Sequence, residues 1–142
     1  MKARIEWAGD AKFIGESGSG HQIIMDGPPE IGGKNEGVRP MEMMLLGMGG
    51  CSSIDVVHIL KKQRLHVSGC VAELSAERAD SEPKIFTKIH MHFIVTGHKL
   101  NHGRVAKAVE LSAEKYCSAA VMLARGGADV THDYEIIEEE TE

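Results

Sequence analysis

The stretch from Pro40 to Arg64 constrains the fold more than any other. Met44, Leu45, Met48, Cys51, Ile54, Val57 and Ile59 recur along it at spacings that fill most of a helical circumference, too broad for one narrow stripe. A helix of this kind is expected to be buried on most sides. Pro40 suits its first turn, where proline's fixed φ and missing N–H do no harm. Gly47, Gly49 and Gly50 fall in its interior, where each costs roughly 1 kcal/mol relative to alanine. Close approach of another backbone is the expected reason for them.

The rest of the chain reads mostly as strands. Ala3 to Trp7, Lys12 to Glu16 and His21 to Met25 form a small antiparallel meander, with Gly18-Ser19-Gly20 as a turn, and a Gly/Pro-rich loop follows from Gly27 to Gly37. His66 to Arg78 and Lys84 to Thr96 form a hairpin around Ala79 to Pro83. In its second strand Ile89, Met91, Phe93 and Val95 share one face, and Lys88, His90 and His92 the other, so one side of the sheet is covered. Val105, Ala108, Val109, Ser112, Ala113 and Tyr116 mark a second helix, Ser118 to Arg125 a shorter continuation, and Gly126-Gly127 its stop. Asp129 to Ile137 alternates as a last strand. The order predicts an α+β fold with helices gathered on one sheet face.

At 142 residues the chain is the size of one domain, so a single domain over 1–142 is expected. Three cysteines are too few for a disulfide scaffold, and the N-terminus lacks the apolar run of a secretion signal, so the expected compartment is cytoplasmic, with thiols reduced. No membrane association is expected, since the longest apolar candidate, Met41 to Leu60, carries Glu42, Asp55 and His58. Sixteen Lys plus Arg stand against 21 Asp plus Glu, and much of the acidic excess lies in Glu135 to Glu142. Without a basic stripe or interleaved aromatics, nucleic acid is not an expected partner. No Gly-rich phosphate loop or nucleophile elbow is present, and neither cofactor nor metal is expected.

The chemistry rests on cysteines. Cys70 alternates with Ala72 and Leu74 on one strand face and reads as core packing. Cys51 and Cys117 each have small or polar neighbours, which leave room for a substrate and a second sulfur. Half-ionising an ordinary thiol at pH 7 needs about 2 kcal/mol of differential stabilisation. Cys51 lies some three turns into its helix, beyond the reach of the dipole, and Asp55 at i+4 opposes a thiolate. Cys117 is better placed if the helix breaks between Tyr116 and Ser118, which puts it at the start of the next segment. Cys51, Asp55 and His58 share a helical face that suits a nucleophile with an acid/base pair, or else Asp55 and His58 form a plain surface pair. His90 and His92 have a spacing that can bind zinc or copper, and equally that of a solvated strand face. Met41, Met43, Met44 and Met48 read as filler for core and interface.

The segment Arg39-Pro40-Met41-Glu42-Met43-Met44-Leu45-Leu46-Gly47-Met48-Gly49-Gly50-Cys51-Ser52-Ser53-Ile54-Asp55-Val56-Val57 resembles the first cysteine helix of the OsmC/Ohr family, nearest its YhfA-like branch. Leu111 to Ser118 resembles that family's second cysteine segment. The resemblance implies an antiparallel-sheet α+β fold with two long central helices, an intertwined homodimer, and sites at the subunit interface. It implies a cysteine-based peroxidase in which Cys51 attacks a small hydroperoxide and Cys117 resolves the sulfenic acid as a disulfide, with a dithiol as reductant. The family's activating glutamate corresponds to Glu42, one position late because Met41 follows the proline. Its arginine has no counterpart between Ile5 and Val38, which leaves Arg39 or Arg4, with Lys12 or Lys34 as poorer substitutes. Arg39 precedes Cys51 by about 18 Å of helix rise, so it would act across the dimer or through a folded-back loop. The alternative reading is a non-catalytic, dimeric small-molecule-binding or thiol-sensing protein of the same fold, and a third is a metal protein using His90 and His92.

Overall fold

The computed structural model describes residues 1–140, which divide into two compact units, the first over 1–46 and the second from Gly47 onward. The first unit holds β1 (Ala3–Trp7), β2 (Phe13–Ser17) and β3 (Gln22–Met25), paired antiparallel in that order. Gly9 and Asp10 take positive φ at the β1–β2 turn, where Lys12 N–H closes on Gly9 O at 2.9 Å. The loop after β3 is organised by Asp26, which is 3 % exposed and accepts hydrogen bonds from the N–H groups of Gly27, Lys34 and Glu36 at 2.9, 2.9 and 3.2 Å. Those bonds, that of Lys34 foremost, hold its carboxyl below the usual range, with Arg39 adding a smaller attraction.

Helix α1 (Pro40–Lys62) crosses from one unit into the other. Proline opens it, and Glu42 Oε1 reaches back to accept the Arg39 N–H at 2.8 Å, one half of a capping box. Arg64, at φ 63°, closes it: Arg64 N–H bonds to Lys61 O and Leu65 N–H to Leu60 O, the paired bonds of a left-handed C-terminal cap. The helix buries Met48, Gly49, Ser52, Val56 and Leu60, a line of four-residue steps. Its other side departs from the expected burial, with Met44, Leu46 and Ile54 at 44, 57 and 71 % exposure. Over an 18-residue window its mean hydropathy is 1.5, so by length and composition it could cross a membrane, contrary to the sequence reading. A core helix of a soluble protein has the same properties. The glycines differ too: a Cβ on Gly49 would meet the Leu74 side chain at 3.0 Å, whereas one on Gly47 or Gly50 would meet nothing within 4 Å among the described residues.

In the second unit β4 (His66–Arg78) and β5 (Phe86–His98) form the expected hairpin. β6 (Asp129–Glu138) pairs with β5 in parallel, which corrects the expectation of antiparallel sheets. Residues 99–128 form a helical crossover, and a crossover of a dozen or more residues returns a chain to the end it started from. Ile89, Met91, Phe93 and Val95 are at most 1 % exposed, and Met48, Val56, Leu60, Val105, Ala108 and Val109 are buried to the same degree. In place of a second long helix there are α2 (His102–Leu111), a π-helical turn at Ser112–Tyr116, and α3 (Ser118–Arg125). Asn101 caps α2, its side-chain oxygen accepting the Arg104 N–H at 3.0 Å.

Candidate functional site

The break between α2 and α3 builds the site. At the end of the π-helical turn Cys117 N–H bonds to Ser112 O, five residues back, and Cys117 turns extended at φ −74°, ψ 103°. From there Cys117 is the N-cap of α3, and its Sγ accepts the Ala120 N–H at 3.3 Å. The same thiol lies 3.8 Å from Met48 O and donates to it, so the sulfur is aimed at α1. One turn further along α1, Ser112 Oγ donates to Ser52 O at 2.9 Å, and Ser52 Oγ donates to Met91 Sδ at 3.5 Å. These buried contacts fix the break against the helix that carries Cys51.

As a result Cys51 Sγ, Cys117 Sγ and a carboxylate oxygen of Asp55 all lie within 4.8 Å of one another. Cys51 is half-buried and Cys117 fully buried. Burial pushes the Cys117 thiol up, the Ser52 hydroxyl and the Ala120 N–H act against that rise, and the neighbouring Cys51 adds to it. The helix start therefore improves Cys117 less than its burial harms it. Asp55 Oδ2 is buried and has no hydrogen-bond partner among the described residues.

The other sequence candidates have partners of their own. Glu42 is engaged in capping its own helix, and Arg39 neighbours Asp26 in the first unit. Cys70 is half-buried on β4, its thiol pushed up by burial with the Ser53 hydroxyl opposing. His90 and His92 lie on the open face of the sheet and share Asp133 Oδ1 at 2.9 and 2.6 Å, while His90 Nδ1 meets Thr131 Oγ1 at 2.6 Å. Both imidazoles are thus partnered by β6, as on a solvated strand face. The hydrogen bond to Asp133 raises the His92 pKa, and the bond from His92 lowers that of Asp133. Sequence reasoning missed Ser52 as a lock, the approach of Asp55 to the second sulfur, and Asp26. Two serines buried at helical spacing among apolar neighbours, Ser52 and Ser112, were the available signal for the lock.

An OsmC-like protein family matches over residues 33–133. Protein YhfA of Escherichia coli strain K12 is 50 % identical over 137 residues, which cover 96 % of this chain and 98 % of the relative. A solved structure of a protein from Aquifex aeolicus VF5 superposes with a TM-score of 0.85 at 30 % identity, covering 98 % of this chain and 97 % of that one. The organic hydroperoxide resistance protein OhrB of Bacillus subtilis shares the fold, with a TM-score of 0.61 at 20 % identity over 94 % of this chain and 96 % of the other. With its α+β architecture and paired cysteine segments, the chain belongs to the OsmC-like protein family.

Proposed function

We propose that the protein is a homodimeric, thiol-dependent hydroperoxide reductase acting in a reducing compartment, the cytoplasm. The convergence of Cys51 and Cys117 carries this reading. The half-buried Cys51 is reachable by a small substrate, whereas the fully buried Cys117 is held in reserve. The Cys51 thiolate attacks one peroxide oxygen, the O–O bond breaks, and the alkoxide leaves with a proton as alcohol. Cys51 is then a sulfenic acid. The Cys117 thiol attacks that sulfur, water leaves with its proton, and a disulfide forms. A dithiol reductant regenerates both thiols and becomes a disulfide itself. The shared fold with an organic hydroperoxide resistance protein supports organic hydroperoxides as the substrate class.

Dimerisation is supported by the uncovered Met44, Leu46 and Ile54 and by two helix glycines with open space beside them. In this reading Arg39 reaches the cysteine pair across the dimer or through a folded-back loop, and Glu42 holds the start of α1 from which it departs. Asp55 favours a second reading, a thiol-sensing or small-molecule-binding protein, because a carboxylate beside the sulfurs resists thiolate formation. Consumption of cumene hydroperoxide and of hydrogen peroxide with a dithiol reductant separates the two. The peroxidase reading expects turnover that favours cumene hydroperoxide and vanishes in Cys51→Ser. Equal, negligible rates for both chains would leave the sensing reading.

A further inference from the structure

Asp55 makes poor sense as part of a thiolate site and good sense as part of a cation site. Its Oδ2 is buried without a partner among the described residues, which costs on the order of 1–3 kcal/mol or more if left so. Two thiols and a carboxylate oxygen converge within 4.8 Å on rigid backbone: Cys51 and Asp55 at i and i+4 on one face of α1, Cys117 at the fixed cap of α3. Three negative charges this close are unfavourable alone, and a divalent cation reverses the sign of that interaction.

We propose that the reduced cluster of Cys51, Asp55 and Cys117 binds a borderline-soft divalent cation of the zinc type, with the fourth position open to water or an added ligand. Zinc lies about 2.3 Å from sulfur and about 2.0–2.2 Å from carboxylate oxygen, so a tetrahedral site places these donor atoms about 3.5–3.8 Å apart. That is within the spread already present. Spacing of i, i+4 on one helix is the same device by which helical ligand pairs hold zinc elsewhere. Two thiolates select zinc over magnesium or calcium, which prefer all-oxygen shells. The bound cation occupies both sulfurs and so withholds them from oxidation and alkylation. The cation shares its two sulfurs with the proposed peroxidase pair, but its binding is read with no peroxide present, so failure of cation binding and failure of peroxide turnover are distinguishable.

The test uses the reduced full-length protein titrated anaerobically with Co²⁺, then with Zn²⁺ against a chromophoric chelator. One Co²⁺ per chain is expected, with near-ultraviolet sulfur-to-metal charge-transfer absorption and the intense visible bands of tetrahedral coordination, displaced by Zn²⁺. Asp55→Asn, which keeps the side-chain shape, should weaken zinc binding by about 10–100-fold or more, at least the loss seen for outer-shell partners. Cys51→Ser should remove much of the charge-transfer band, and Cys70→Ser should leave the titration unchanged. Absence of that band in wild type, or equal zinc affinity in wild type and Asp55→Asn, would overturn the proposal.

Discussion

The two cysteines are presented by helices of opposite construction. Cys51 rides the middle of an unbroken 23-residue helix, half-buried, with Asp55 one turn ahead. Cys117 sits where a second helix is interrupted by a π-helical turn, fully buried and engaged with both Ala120 N–H and Met48 O. A continuous helix delivers a sulfur at a fixed place but gives it no free backbone N–H. A broken helix supplies that N–H and withdraws the sulfur from solvent in doing so. Solvent access thus goes to one sulfur and a backbone donor to the other, which suits the proposed attacking and resolving thiols.

The division is most easily broken at Cys51. Cys51→Ser is expected to lower dithiol-dependent peroxide consumption by on the order of 10³-fold or more, whereas Cys117→Ser should still form the Cys51 sulfenic acid, detectable with dimedone. Equal loss of sulfenic acid in both would erase the proposed asymmetry. Next in size is the contrast between the two sides of α1. Met48→Ala, in a fully buried position, should cost about 2–5 kcal/mol in urea unfolding. Ile54→Glu, on the uncovered side, should turn the proposed dimer into monomers in light scattering. An Ile54→Glu protein that stays dimeric would place the partner elsewhere.

A smaller effect sharpens the cap. Cys117→Ala should be less stable than Cys117→Ser by about 1 kcal/mol, since only serine restores an acceptor for the Ala120 N–H. Smallest is the exposed His92–Asp133 pair. With the His92 pKa raised, its contribution is complete below about pH 6.5 and lost as pH rises through the folded value. With the Asp133 pKa lowered, its share is present above about pH 4 and lost as pH falls through the folded value. The pair thus contributes most between about pH 4 and 6.5. An NMR titration should show the His92 midpoint above the ordinary histidine value and returning to it in Asp133→Asn.

Legibility in the sequence followed the range of the interactions. The period-2 alternation of Ile89, Met91, Phe93 and Val95 marks a strand covered on one face, and that face is the buried one. Alternation carries no direction, so the parallel pairing of β6 could not be read from Val130 to Ile136. The interruption before Cys117 was visible, but the π-helical turn that aims its sulfur depends on Ser112 meeting Ser52 O, sixty residues away. Asp55 was legible as a neighbour of Cys51, through local helix geometry, and its approach to Cys117 was not. Asp26 was silent because one carboxylate gathering three loop N–H groups leaves no periodic trace.

The central claim, that Cys51 and Cys117 form one redox unit, is tested most directly by which sulfurs join. Reduced protein treated with a small excess of cumene hydroperoxide, blocked and digested without reductant, should lose two thiols per chain and yield a Cys51–Cys117 cross-linked peptide by mass spectrometry. Cys70 should be recovered alkylated. Persistence of both free thiols, or a disulfide that includes Cys70, would contradict the account.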